Sequence, residues 1–170
     1  TQSAGGAGGT GGQAGSLNQG GHGTPPGTGQ WDGTTIAYNG GGNNGGTLYN
    51  TMDYITISTT GNATDFGDIT VARKRLGGVS SDTRGVFGGG DDGTNSNVMD
   101  YITIQTTGNA TDFGDLTLAK SYITGCSSDT RGIFAGGQYP YSDAIDYITI
   151  ATLGNATDFG DLTVARRQLA

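Results

Sequence analysis

Side chains that can supply oxygen ligands recur in a polar segment that the chain repeats three times. In the middle copy they are Asn109, Asp112 and Asp115. Calcium takes about six to eight oxygen ligands, so these three side chains could complete a site together with backbone carbonyls and water. The spacing matches no established calcium-binding loop, and Asp and Asn more commonly bond to nearby backbone in turns. We therefore expect a turn here, and a metal site at these residues is the weaker alternative.

Two other motifs in the same segments match known functional signatures, but we expect neither to have that function here. An Asp-Phe-Gly triplet begins at Asp65, Asp112 and Asp158, and it spells the magnesium-binding motif of protein kinases. The lysine, catalytic loop and helical lobe of a kinase are all missing, which excludes that enzyme. An Asn-Ala-Thr triplet begins at Asn62 and recurs twice as a formal glycosylation sequon. We favour a turn over a glycan, because Asn tolerates turn conformations.

The sequence offers no set of residues suited to catalysis. His22 is the only histidine, and it lies in a Gly-rich segment far along the chain from any candidate acid or nucleophile. A Ser-His-Asp or Cys-His set therefore cannot be assembled. Cys126, the only cysteine, takes the position that Val79 has in the preceding repeat, which predicts a small buried side chain. We expect a protein that is not an enzyme and binds no cofactor.

Ligand contacts are expected instead from loops that differ between the repeats. These loops cover residues 39–50, 91–97 and 138–143. Variable loops on a constant framework often carry binding residues, and tyrosine is suited to stacking on sugars or sealing an interface. The candidate binding residues are Tyr49, Asp91, Asp92, Tyr139 and Tyr141. The alternative is that the tyrosines simply pack along an edge of the fold.

A duplicated unit positions all of these residues. The sequence Asp-Tyr-Ile-Thr-Ile begins at Asp53, Asp100 and Asp146, at spacings of 47 and 46 residues. Residues 53–73 and 100–120 are identical at 17 of 21 positions. Periods of about 40–50 residues are typical of propeller blades and helical solenoids. The chain has no Glu and only eight Lys and Arg, and this shortage of helix formers favours the propeller.

Each unit contains four candidate strands, as one antiparallel propeller blade does. In the middle unit they cover residues 76–80, 84–87, 98–104 and 114–120. The chain then divides into a Gly-rich arm or linker (1–33), a partial blade (34–75) and two blades (76–122 and 123–168). About two and three-quarter blades cannot close a ring of roughly four to eight. Completion by several chains, a longer protein and an open stack of sheets are all consistent with this count.

Charged residues recur once in each unit. Asp82 and Arg84 share one turn, and Arg73 ends the strand before it. This recurrence predicts ion pairs between successive blades, and exposed pairs of this kind contribute about 0–1 kcal/mol each. A ligand site made from such pairs is the alternative.

Charge and composition exclude two kinds of partner. The formal net charge is −7, and the eight Lys and Arg form no cluster. Nucleic-acid binding depends on clustered Lys and Arg, so we expect no nucleic-acid partner. No apolar run approaches the roughly 18–20 residues that cross a bilayer, so we also expect no membrane span. The Gly-rich arm is expected to be a flexible linker, or alternatively a segment ordered by packing on a partner chain.

The ordered set of motifs resembles the kelch repeat. A short apolar strand ends in glycines, as in Phe-Gly-Gly-Gly at residues 87–90, an Asp-Tyr strand follows, and residues 162–166 end the last unit with Leu-Thr-Val-Ala-Arg. The resemblance covers about residues 35–170, and it extends further to the kelch-like repeats in virion proteins of marine bacteriophages. The usual kelch tryptophan is absent. We expect its packing role to pass to three phenylalanines, Phe66, Phe113 and Phe159.

The resemblance implies an all-β fold of kelch-like propeller blades and a non-enzymatic structural protein of a phage virion. Such a protein would be a fibre or decoration component that contributes to assembly and to host-surface attachment. The implied partners are other virion proteins, copies of the chain itself, and a host-surface glycan or protein. The implied location is the virion or the extracellular space. The alternatives are a carbohydrate- or protein-binding module of a secreted bacterial propeller and a self-assembling extracellular filament protein.

Overall fold

The computed structural model describes residues 36–56, 59–138 and 140–169. These residues form eleven strands in three antiparallel sheets, and none of them is helical. The all-β prediction is therefore confirmed for the described part of the chain. No described segment is a helix with the length and hydropathy needed to cross a membrane. The Gly-rich arm predicted over residues 1–33 lies outside the described residues.

Each sheet is a meander, in which strands that follow one another along the chain are hydrogen-bonded neighbours. Sheet 1 contains β1 (Ile36–Asn44), β2 (Thr47–Thr56) and β3 (Thr64–Asp68). Sheet 2 contains β4 (Gly77–Ser80), β5 (Arg84–Gly88), β6 (Val98–Thr103) and β7 (Thr111–Asp115). Sheet 3 contains β8 (Thr124–Ser127), β9 (Arg131–Ala135), β10 (Ala144–Thr149) and β11 (Thr157–Asp161).

The variable loop predicted over residues 39–50 is a hairpin of two long strands. β1 and β2 continue through most of it and leave only Gly45 and Gly46 between them, with φ angles of 56° and 95°. Two successive positive φ angles are typical of a tight two-residue hairpin turn, and glycine adopts them without a steric penalty. The loop prediction was wrong because this pair of glycines makes the turn alone.

The fourth strand of each unit lies earlier than predicted. In the middle unit it is β7, which ends at Asp115, whereas the prediction covered residues 114–120. β7 pairs with β6 through an irregularity between Met99 and Asp100, and Gly114 has a φ angle of 137°. Glycine relieves the strain that such a bulge imposes on the backbone. The prediction was wrong because the glycine and acids of this segment were interpreted as a turn.

The hydrophobic core is divided between two junctions, each formed by consecutive sheets. The cluster at the first junction contains Met52, Phe66, Ile69, Leu76, Phe87, Ile102, Ile104 and Ala110. The cluster at the second contains Val79, Val86, Met99, Phe113, Leu116, Ile123, Phe134, Ile148 and Ile150. The sheets therefore pack face to face in chain order. We call the side of a sheet that faces the next sheet along the chain its rear face, and the opposite side its front face.

The phenylalanine of each Asp-Phe-Gly triplet lies on a rear face. Each packs edge-to-face against the tyrosine of its own sheet, with ring centroids about 6 Å apart. Phe66 and Phe113 are buried under the following sheet, as expected from their predicted packing role, but Phe159 is 54% exposed. The difference arises because no described residues cover the rear face of sheet 3.

Cys126, like Phe159, is more exposed than its counterpart in sheet 2. The sequence predicted a buried side chain, because Cys126 takes the position of Val79 in the preceding repeat. Val79 is only 2% exposed in the structure. Cys126 is exposed instead. The equivalence of the two positions places Cys126 on the rear face of sheet 3, so the prediction failed because this face lacks the covering sheet that buries Val79.

Candidate functional site

A buried ion pair crosses each junction between sheets. At the first junction, Nη2 of Arg73 lies 2.6 Å from Oδ2 of Asp100, and both side chains are fully buried. At the second, Nζ of Lys120 lies 2.9 Å from Oδ2 of Asp146, and these side chains are 2% and 0% exposed. In both pairs the base follows the last strand of one sheet and the acid lies on the third strand of the next. The two pairs are therefore equivalent.

Further hydrogen bonds hold each buried carboxylate in place. Thr70 Oγ1 donates to Oδ1 of Asp100, and Thr117 Oγ1 donates to Oδ1 of Asp146. The cations are bonded too: Nη2 of Arg73 donates to the carbonyl of Phe87 at 3.3 Å. Removal of one partner from such a pair leaves an uncompensated charge in the core. The network therefore stabilises one relative arrangement of adjacent sheets.

Ion pairs between successive units were predicted from the sequence, but Asp100 and Asp146 were not identified as their acids. Arg73 was expected to form an ion pair with the next unit, and it pairs with Asp100 of the following sheet. Arg84 lies over the ring of Tyr101, with Cζ 4.6 Å from the ring centroid, and its Nη1 donates to the carbonyl of Ile150. The sequence did contain the signal, because an Asp begins all three copies of Asp-Tyr-Ile-Thr-Ile.

The Asn-Ala-Thr segments attach each sheet to the one before it. Oδ1 of Asn109 accepts a hydrogen bond from the backbone N–H of Asp68, and Oδ1 of Asn155 accepts one from that of Asp115. The amides of Gly108 and Gly154 donate to the carbonyls of Phe66 and Phe113. These bonds join different sheets, whereas the sequence predicted local bonds within the turn.

The weak metal candidates gain no support from these positions. The side-chain oxygen of Asn109 is bonded to Asp68, while Asp112 and Asp115 lie on β7. Among the described residues, no group of three or more His, Cys, Asp or Glu side chains is placed to hold a metal ion. The structure therefore assigns Asn109 to the contact between sheets.

The variable loops after β5 and β9 lie side by side. Nδ2 of Asn95, in the first loop, donates to the carbonyl of Gln138 in the second at 2.9 Å. Ser121 Oγ donates to Oδ1 of Asn95 at 3.0 Å. We call this surface, formed by residues 91–97, 138 and 140–143 with the neighbouring Arg75, Tyr122 and Arg167, the loop edge.

The loop edge contains a series of alternating charged and aromatic side chains. Nη1 of Arg75 lies 2.6 Å from Oδ2 of Asp91. Cζ of Arg75 lies 4.4 Å from the ring centroid of Tyr122, and that of Arg167 lies 5.1 Å from it. Arg167 also lies 5.8 Å from the ring centroid of Tyr141. Sequence reasoning missed Arg75, Tyr122 and Arg167, because they lie outside the variable loops.

The predicted binding residues differ in whether their side chains have partners within the chain or are exposed to solvent. Asp91 is engaged by Lys74 and Arg75, and Asp92 bonds to the backbone and hydroxyl of Thr94. Tyr141 is 58% exposed at the loop edge, and Tyr49 is 44% exposed on the hairpin of sheet 1. Tyr139 lies outside the described residues. The structure thus brings Asp91, Asp92 and Tyr141 to one surface.

Comparison with known proteins adds no family to these observations, because the chain matches no protein-family model and no curated protein.

Proposed function

We propose that the chain is a non-enzymatic structural protein of a bacteriophage virion, built from kelch-like propeller blades and serving as a fibre or decoration component. One observation carries the structural role: both junctions contain an apolar cluster and a buried ion pair between equivalent positions. A recurrent junction makes a rigid stack of sheets. The resemblance of the repeats to those in phage virion proteins supports the location.

The packing at the junctions is suited to a mechanical role. Each junction combines an apolar cluster, a buried ion pair and hydrogen bonds between backbones. Burial of apolar side chains contributes about 25 cal/mol per Å² removed from water, so each added sheet stabilises its neighbour. The result is a stack of sheets in which each junction is stabilised by contacts within the chain.

The loop edge supplies a second element of the proposed role, attachment. It varies between units while the sheets repeat, and it presents Asp92 and the ring of Tyr141 to solvent. Exposed tyrosine beside a charged group is suited to contact with a glycan or a protein. We assign to this edge the contacts with other virion proteins or with the host surface.

The test of this proposal uses purified phage particles. We expect mass spectrometry to detect the chain in particles after density-gradient purification, and cryo-electron microscopy to place it as a symmetric multimer on capsid or tail proteins. Recovery only from the medium, as a free propeller with a ligand in its central pocket, would contradict the virion assignment.

The exposed ring of Tyr141 favours one alternative, a carbohydrate- or protein-binding module of a secreted bacterial propeller. This alternative requires binding of a free glycan or protein in the absence of particles. A glycan array probed with the wild type and with Tyr141→Ala tests it, and Leu118→Ala is a control at another exposed apolar residue. Binding that Tyr141→Ala abolishes and Leu118→Ala retains would favour the binding module.

A further inference from the structure

The rear face of sheet 3 is an open copy of the buried rear face of sheet 2. Its residues are partly or largely exposed: Cys126, Ile133, Ile145, Phe159, Leu162 and Arg166. Their counterparts in sheet 2 are all between 0% and 3% exposed: Val79, Val86, Met99, Phe113, Leu116 and Lys120. The face is thus apolar with one cation at its border, which is the pattern that an adjoining sheet covers at both internal junctions.

The front face of sheet 1 carries the other half of the same pattern. Asp53 holds the position of Asp100 and Asp146, which are fully buried, but Asp53 is only half-buried. Ile55 is 37% exposed, whereas its counterparts Ile102 and Ile148 are 2% and 3% exposed. An acid without its buried base and an exposed isoleucine therefore lie at one end of the stack.

The two ends have complementary charges. Arg166 holds the position of Arg73 and Lys120, the bases of the two buried pairs. Within the part of the chain that the structure describes, neither Arg166 nor Asp53 takes part in an ion pair. The backbone beside Arg166 also follows the internal pattern: the carbonyl of Arg166 accepts from the amide of Gly137, as that of Lys120 accepts from the amide of Gly90.

We infer that the rear face of sheet 3 docks on the front face of sheet 1 of a second copy of this chain, with Arg166 paired to Asp53 and Phe159 buried in the contact. This pairing deepens the structural role proposed above and rests on it. The contact joins two different surfaces, so it produces a ring if the rotation closes and a filament if it does not. The described residues of each copy form three sheets, so two copies supply six from these residues, within the roughly four to eight blades of known propellers.

The contact is expected to be weaker than an internal junction. The pairing is between separate molecules, so it includes a loss of translational and rotational freedom that an internal junction does not have. We therefore expect association that reverses on dilution.

Charge reversal in separate samples tests the pairing. Sedimentation velocity of the full chain is expected to show an average mass that rises with concentration. Arg166→Asp and Asp53→Arg are each expected to weaken association at least tenfold, because each places like charges opposite one another. Asp129→Arg, at an exposed residue of the turn between β8 and β9, is the matched control and is expected to associate as the wild type does.

Mixing the two reversed variants gives the decisive readout. In an equimolar mixture, the carboxylate introduced by Arg166→Asp meets the guanidinium introduced by Asp53→Arg, and the remaining ends form the original pair. Association is therefore expected to return to within a few-fold of the wild type. A wild type that stays monomeric at all concentrations, single variants that associate normally, or a mixture that does not recover would each overturn the inference.

Two controls keep the result interpretable. Circular dichroism of each variant monitors folding, and Phe159→Asp replaces Asp53→Arg as the blocking variant if the latter does not fold, since Phe159 is already 54% exposed. A chain that does not self-associate could still be detected in virions. The experiments therefore distinguish failure of the pairing between copies from failure of the virion assignment.

Discussion

The Nη2 atom of Arg73 lies 2.6 Å from the Oδ2 atom of Asp100, although the two residues belong to consecutive sheets and neither side chain is exposed. Charges interact more strongly in the interior of a protein than in water, and an unpaired charge there is strongly unfavourable. The pair forms only when the front face of sheet 2 packs on the rear face of sheet 1. It therefore couples the order of the sheets to the stability of the chain.

Removal of the acid at the first junction should destabilise the chain strongly. We expect Asp100→Ala to lower the free energy of unfolding by about 3–5 kcal/mol, because Arg73 is left buried without its carboxylate. Urea unfolding measures the change. Asp112→Ala removes an exposed acid from the adjacent strand and is expected to change stability by less than about 0.5 kcal/mol. Equal effects of the two variants would contradict this role of Asp100.

Lysine should replace Arg73 with little loss. Nε and Nη1 of Arg73 are buried and have no hydrogen-bond partner among the described residues, and Lys120 performs the equivalent task with one ammonium group. We expect Arg73→Lys to change the free energy of unfolding by less than about 1 kcal/mol, whereas Arg73→Met should lower it by about 3–5 kcal/mol. Thermal unfolding compares the variants, and similar melting temperatures for both would exclude a role for the charge.

Alanine substitutions at two equivalent glycines distinguish the cost of backbone strain from the cost of a clash with the next sheet. Gly114 and Gly160 have φ angles of 137° and 136°. A Cβ at Gly114 would lie 2.5 Å from the carbonyl oxygen of Gly154, but one at Gly160 would meet no atom within 4 Å. We expect Gly160→Ala to cost about 1–3 kcal/mol from backbone strain alone. Gly114→Ala should cost at least about 1 kcal/mol more, and a smaller penalty at Gly114 would argue against the close junction.

Alanine substitutions of the equivalent Phe113 and Phe159 should also destabilise the chain to different extents. We expect Phe113→Ala to lower the free energy of unfolding by about 3–5 kcal/mol, since Phe113 is 2% exposed in the second junction. Phe159→Ala should lower it by less than about 1 kcal/mol in dilute samples, where the rear face of sheet 3 is open. Denaturant titration at low protein concentration distinguishes them. A large effect of Phe159→Ala under those conditions would show that this face is already covered within one chain.

The repeat made the number and type of the sheets predictable. Tyr101, Ile102 and Thr103 are β-branched or aromatic and lie on a strand, as expected. The position of β7 was not predictable, because Gly114 and its neighbouring acids have turn propensity, and their place in the sheet depends on a bulge against β6. Local propensity does not contain that tertiary information.

The candidate site was predictable only in part, for a similar reason. Asp91, Asp92 and Tyr141 were identified because their loops differ between units, and the structure places them on one surface. Asp100 was missed as a junction residue, since an acid within a strand gives no sign of burial until its partner on another sheet is known. A charge at the same position in every unit was the signal available.

The most direct test of the repeated junction is a double-mutant cycle at each ion pair, using Arg73→Met with Asp100→Asn and Lys120→Met with Asp146→Asn. Unfolding free energies of the single and double variants give the coupling energy of each pair. Directly interacting residues have coupling energies of about 0.5–3 kcal/mol, and we expect both pairs to lie in the upper half of that range and to agree within about 1 kcal/mol. Coupling below about 0.5 kcal/mol at either junction would contradict a buried ion pair that repeats between successive sheets.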